Sequence, residues 1–172
     1  FARYSFDFVI GSTHFVQGRY PYYPDFFNNR TEAEAYRSYF AALLENIKTF
    51  DNFDTAAHLD YVVRYGPNRN RYYHYYSYRD YLDEILKTLI QKGKALECNT
   101  GGLRKGLGQP NPCVEVLTRY RELGGELLTL GSDAHASDQI GFAFDTIGDL
   151  LRQCGFSYYT TFADRKPQFH KL

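Results

Sequence analysis

The chain has 172 residues, of which 44% are hydrophobic and 23% charged, with 20 basic and 20 acidic side chains; this is the balance of one soluble globular domain able to bury a sizeable core. Zero net charge removes any overall field that would gather nucleic acid or an anionic membrane, and no apolar run nears the roughly 18 residues needed to span a bilayer. Three widely spaced cysteines, Cys98, Cys113 and Cys154, offer no CxxC pair, so a disulfide framework and a zinc knuckle are both disfavoured and a reducing cytoplasm fits.

In chain order, Phe6-Asp7-Phe8-Val9-Ile10-Gly11 reads as a short buried strand ended by glycine. Phe1 opens almost directly onto it, so the chain is expected to begin inside a larger protein. A loop rich in proline and tyrosine follows, through Pro21 and Pro24. Thr31 and Glu34 then form a capping box, opening a helix whose apolar stripe is Tyr39, Phe40, Leu43, Leu44 and Ile47. A weaker strand over 53–57 ends at His58-Leu59-Asp60. The run Arg71-Tyr72-Tyr73-His74-Tyr75-Tyr76-Ser77-Tyr78, between Arg69 and Arg79, reads as a partly exposed loop leading into a helix; stacking on nucleic-acid bases is the other reading. Ser77 is the expected cap of that helix, Tyr81, Ile85, Leu86 and Leu89 its buried face, and Gly93 its stop. Residues 94–99 make the third strand. Asn111-Pro112 is a cap and first-turn pair for a helix through Leu123. Residues 127–131 form a strand, 145–154 a helix closed by Gly155, and 157–162 a last strand.

Strands and helices therefore alternate, which predicts a parallel α/β sheet or barrel. The polar candidates follow the strands: His14 the first, His58 the second, residues 99–104 the third, Asp133 and His135 the fourth. In a (β/α) barrel such positions meet on the carboxyl-terminal rim. Each alone has an ordinary explanation, from loop hydrogen bonding at His14 to helix capping at Ser132-Asp133. Together, three histidines and an aspartate favour a divalent metal, and donors without thiolate suit zinc, manganese or iron. His74 and His170 read as solvated. Arg64 and Arg104 are candidates for gripping a phosphate bidentately, and Gly101-Gly102 would admit backbone N–H groups to an anion. Glu97 and Asn99 share a strand face, with structural hydrogen bonding their expected role.

Four segments carry a resemblance: Phe6-Asp7-Phe8-Val9-Ile10-Gly11-Ser12-Thr13-His14-Phe15, Ala57-His58-Leu59-Asp60-Tyr61-Val62-Val63-Arg64-Tyr65-Gly66, Glu97-Cys98-Asn99-Thr100-Gly101-Gly102-Leu103-Arg104, and Gly131-Ser132-Asp133-Ala134-His135. In order and spacing they resemble the PHP (polymerase and histidinol phosphatase) metallophosphoesterases, within them the histidinol-phosphatase branch. The resemblance implies a distorted seven-stranded (β/α) barrel with up to three metal ions on its carboxyl-terminal rim. It places His14 and His58 on one metal, Asp133 on a second and His135 on a third, with Asp133 and His135 also the expected catalytic residues. Arg64 and Arg104 fall where the family grips substrate phosphate. The implied reaction is hydrolysis of L-histidinol phosphate, late in histidine biosynthesis, with a small phosphorylated substrate and no nucleic-acid or membrane partner.

The departures are as informative. The family opens with an His-x-His strand end, a further histidine segment and a bridging glutamate upstream of the Phe-Asp-Phe-Val strand. This chain starts at that strand, so residues 1–172 are expected to form a single partial PHP domain, the carboxyl-terminal portion of the barrel, with the missing segment supplied by the full-length protein. Ala56-Ala57 stand where the family has a glycine before its histidine, and Cys113 stands in a loop usually richer in histidine and proline. Two rival readings remain open at this point: a phosphoesterase acting on another small phosphate or a nucleic-acid end, and a non-catalytic metal-binding domain.

Overall fold

The structure, a computed structural model, describes residues 4–172. Four parallel strands lie side by side in chain order: β1 (Ile10–Gly11), β2 (Thr55–Ala56), β3 (Ala95–Asn99) and β4 (Leu128–Gly131). Helices α1 (Glu32–Thr49), α2 (Arg79–Gln91), α3 (Gly101–Arg104), α4 (Val114–Glu122) and α5 (Ile147–Gln153) occupy the connections. The alternation read from the sequence is therefore realised as a parallel α/β sheet. Every residue of β3 is buried, as expected of a strand covered on both faces.

The local signals explain the helices. Thr31 accepts from the Glu34 amide while the Glu34 carboxylate takes the Thr31 amide, completing the capping box of α1. Its stripe of Tyr36, Tyr39, Phe40, Leu43 and Ile47 packs into the same core as Leu82, Ile85, Leu86 and Leu89 of α2. The tyrosine run feeds this core: Tyr73 and Tyr78 lie within ring-contact distance of Phe40 and Tyr36, whereas Tyr72 and Tyr76 stay exposed.

Three expectations are corrected. Ser77 does not cap α2: the cap is Tyr78 without a side-chain bond, and the Ser77 carbonyl accepts from Arg37 instead. Asn111-Pro112 does not start α4, which opens at Val114 behind Cys113, because the Asn111 side chain is committed to Arg64 and Asp60 in the interior. The last predicted strand exists as β5 (Tyr158–Ala163), yet it joins no parallel ladder; it pairs antiparallel with β6 (Lys166–Lys171), which polar alternation in Lys-Pro-Gln-Phe-His-Lys conceals. Asp164 and Arg165, both at positive φ, make the two-residue turn such a hairpin requires.

The hairpin crosses from beside β4 to the segment before β1. Phe162 stacks on Phe8 at 5.2 Å, the Arg165 amide reaches the Asp7 carbonyl, and the Arg165 guanidinium bonds Asp54 and Asn52. Asp54 also accepts from the Val9 amide. One buried carboxylate thus ties the hairpin turn to the start of β1. No helix among the described residues is long and apolar enough to cross a membrane.

Candidate functional site

The loops that leave the carboxyl ends of the four strands converge on one cleft of about 710 Å³, to which His14, Tyr61, Arg104, Asp133 and His135 contribute. Its size falls in the range of small-molecule sites. His14 follows β1, and its loop is pinned from α1: Tyr39 donates to the Thr13 carbonyl and Asn46 to the Thr13 hydroxyl. His58 follows β2 at positive φ, its amide held by the buried Glu97 carboxylate at 2.7 Å. The two imidazoles meet with Nε2 atoms 3.2 Å apart, and Tyr61 packs against both rings.

Burial, reinforced by Arg64 and His14, pushes the His58 imidazole down to about 3, so it stands neutral at physiological pH. Burial and the same arginine lower His14 as well. His58 Nδ1 is buried without a hydrogen-bond partner among the described residues. A neutral imidazole with a free lone pair is what a divalent cation needs as a ligand. The facing pair and the Asp133 carboxylate are nitrogen and oxygen donors of the zinc, manganese or iron type. They are an incomplete set: among the described residues no three His, Cys, Asp or Glu side chains gather closely enough to hold an ion by themselves.

Arg64 is the centre of a buried polar network. Its Nε donates to Asn111 Oδ1 at 2.8 Å, Nη2 to Asn99 Oδ1 at 3.0 Å, and Nη1 to the Asp133 carboxylate. Asn111 in turn donates to Asp60, whose second oxygen accepts the Cys113 amide. Desolvation raises the Asp60 carboxyl to about 6 against these hydrogen bonds and the nearby guanidinium. Asp133 responds in the other direction: although burial opposes it, the Arg64 hydrogen bond and charge hold its carboxyl below the ordinary range. Arg104 donates from Nη2 to the carbonyls of Ser132 and Asp133, and its buried Nε has no hydrogen-bond partner among the described residues.

His14, His58, Arg64, Arg104 and Asp133 are therefore brought together. His135 is at the cleft but turned aside: its side chain is 80% exposed, and its Nδ1 faces the Asp133 carbonyl rather than the histidine pair. The Gly101-Gly102 pair is closely packed, and the Gly101 amide is already engaged. A Cβ at Gly101 would lie 2.7 Å from Asn99 Oδ1, and the Gly101 amide already donates to that same oxygen. Glu97 and Asn99 take the structural hydrogen-bonding role expected of them. The sequence reading missed Asp60 as a buried acceptor and Asn111 as an arm of the Arg64 clamp. The signal for Asp60 was its place two residues after His58; its partners lie more than fifty residues away. His74 is solvent-exposed as expected, whereas His170 stacks on Tyr159 and bonds Thr161 across the hairpin.

A family model described as PHP domain matches residues 2–101. The chain belongs to the PHP family. Among similar proteins, this PHP chain is 34% identical over 171 residues to the histidinol-phosphatase of Lactococcus lactis, covering 96% of this chain and 62% of that one. It is 33% identical over 152 residues to a probable histidinol-phosphatase of Clostridium acetobutylicum, covering 88% of this chain and 59% of that one. The crystal structure of the histidinol phosphate phosphatase from Lactococcus lactis, complexed with zinc, L-histidinol and phosphate, superposes with a TM-score of 0.84 at 32% identity, covering 97% of this chain and 64% of that one. A putative histidinol phosphatase structure from Listeria monocytogenes, at 20% identity and TM-score 0.67, shares the fold. The chain spans about three fifths of the length of the curated relatives it matches.

Proposed function

We propose that this chain forms the arginine-bearing part of a metal-dependent phosphomonoesterase that hydrolyses L-histidinol phosphate to L-histidinol and phosphate. The observation that carries the reading is one cleft at the carboxyl ends of parallel strands lined by His14, Arg104 and Asp133, with His58 buried against His14 and Arg64 buried against Asp133. The zinc, L-histidinol and phosphate in the crystal structure of the Lactococcus relative supply the substrate and metal class. In this reading the reaction takes place in a reducing cytoplasm, late in histidine biosynthesis, and the three free, buried cysteines suit that compartment.

His14 and His58 would hold a divalent ion, with Asp133 a carboxylate ligand beside them and His135 a further donor at the rim. When bound, such ions activate water and neutralise charge on phosphoryl oxygens. Arg64 and Arg104 grip the phosphate. Asn99 and Asn111 lock the Arg64 guanidinium from two sides, so its remaining N–H donors are oriented before substrate arrives. Glu97 fixes the backbone that turns His58 toward His14. Catalysis by this arrangement rests on positioning and charge, as phosphoryl transfer demands.

The test is metal analysis of the complete gene product, with phosphate release measured on L-histidinol phosphate, other small phosphomonoesters and a phosphate-ended oligonucleotide. The proposal expects bound divalent metal and selective release from L-histidinol phosphate. Preference for the oligonucleotide, or bound metal with no release at all, would contradict it.

A further inference from the structure

Two parallel arms reach Arg64 from the interior. Its Nε donates to the side-chain oxygen of Asn111 and its Nη2 to that of Asn99. Each asparagine gives its own side-chain NH2 to a buried carboxylate behind it, Asn111 to Asp60 and Asn99 to Glu97. The two asparagines are joined by reciprocal backbone hydrogen bonds of 2.8 and 2.9 Å. Asp60 is 1% exposed and is not among the residues that line the cleft. Its two oxygens meet two donors, Asn111 Nδ2 and the Cys113 amide. A carboxylate satisfies both because it has two acceptor oxygens and no donor, whereas an amide of the same size has one oxygen and one donor group. An asparagine side chain can sit either way round. At Asn111 the reverse orientation would set oxygen against oxygen at Asp60 and NH2 against N–H at Arg64, and burial makes each mismatch costly. The carboxylate at position 60 therefore decides which end of Asn111 meets the guanidinium. The guanidinium in turn holds Asp133, which lines the cleft.

We infer that Asp60 is a positioning residue for Arg64: from outside the cleft it fixes the orientation of Asn111, which presets the guanidinium and, through it, the Asp133 carboxylate. What the preset groups do in a reaction rests on the phosphatase reading; the relay from Asp60 to Arg64 does not. Every link in it joins a donor to an acceptor, so a change of donor character at position 60 passes along the whole row. Networks of this kind are worth more intact than their separate bonds.

The experiment follows hydrogen exchange at the arginine Nε–H groups by NMR in the complete gene product. Arg119, whose Nε donates to Asp83 outside the cleft, is the internal reference. In Asp60→Asn the Arg64 Nε–H should exchange about tenfold faster or more, with Arg119 unmoved. The double variant Asp60→Asn, Asn111→Asp exchanges donor and acceptor between the two positions, so Arg64 Nε and the Cys113 amide each face an oxygen again. Exchange there should return to within about threefold of wild type. Unchanged exchange in Asp60→Asn, or a double variant that folds without restoring it, overturns the inference. If Asp60→Asn alone does not fold, the double variant decides, and its failure to fold also counts against the relay. In zinc-loaded protein, kcat/KM for L-histidinol phosphate should fall about tenfold in Asp60→Asn and recover in the double variant. An active wild type whose kcat/KM is the same in Asp60→Asn overturns the positioning role. A wild type that releases no phosphate counts against the phosphatase reading alone, because exchange at Arg64 still decides the relay.

Discussion

Gly131→Ala is the sharpest structural test of how the cleft is held. A methyl group built at Gly131 would overlap Glu97 Oε1 and come within 2.6 Å of Glu97 Cδ. The carboxylate has nowhere to retreat, since Oε2 accepts the His58 amide at 2.7 Å and the Asn99 side-chain amide at 2.9 Å, all inside the protein. Displacing it breaks two hydrogen bonds to a buried carboxylate, each worth roughly 1.5–3 kcal/mol. Partial movement of β4 relieves some of the overlap, so the expected loss is about 3 kcal/mol. Urea denaturation of the complete protein gives the value, and Gly131→Ala in a Glu97→Ala background isolates the cause. With the carboxylate removed, the added methyl should cost less than about 1 kcal/mol, because contacting residues are strongly non-additive. An equal cost in both backgrounds would refute the claim that Glu97 is the group displaced.

Further outcomes follow from the same geometry. His14→Ala, at a position open to the cleft, should weaken zinc or manganese binding by about tenfold or more in calorimetric titration while urea stability holds; unchanged affinity would remove His14 from the ligand set. Asp83 receives Nε and Nη2 of Arg119 at 2.9 and 3.0 Å, and against burial these bonds and the Tyr75 hydroxyl hold its carboxyl down to about 2. Its folded value lies below the unfolded one, so the contribution is full above about pH 4 and is lost as the pH falls toward 2. Allowing for solvent screening, Asp83→Asn should lower stability by about 1–2 kcal/mol at neutral pH and flatten the acid limb of the stability curve; an unaltered acid limb would count against the pair.

Much of this was legible in the sequence where a short-range signal controlled the outcome. The Thr31–Glu34 box sets the start of α1, Gly93 at positive φ follows α2, and the rim positions of His14, His58 and Asp133 follow from strand ends. The rest depends on partners far apart in the chain. Asn111 looked like a helix cap because asparagine before proline is a good local start, but burial beside Arg64 and Asp60 outweighs that preference. β6 has no apolar alternation to reveal it, since one side of the hairpin faces solvent and its register comes from the Asp164-Arg165 turn. The orientation of His135 was not legible either: Asp133 is at positive φ, and its carbonyl lies against Nδ1 of the His135 ring. The loop through Pro21 and Pro24 showed only as proline- and tyrosine-rich composition, because the contacts that join Tyr22 through Tyr65 and Tyr61 to His14 exist in space alone.

Phosphate release from L-histidinol phosphate by the metal-loaded complete protein, wild type beside Arg64→Met, tests the proposed grip of Arg64 on substrate phosphate beside a histidine-held metal. The expected result is metal-dependent release that a chelator abolishes and that the variant lowers about a hundredfold or more in kcat/KM, as loss of a charge-stabilising donor does. Release that proceeds equally well without Arg64, in protein that still folds, would contradict it.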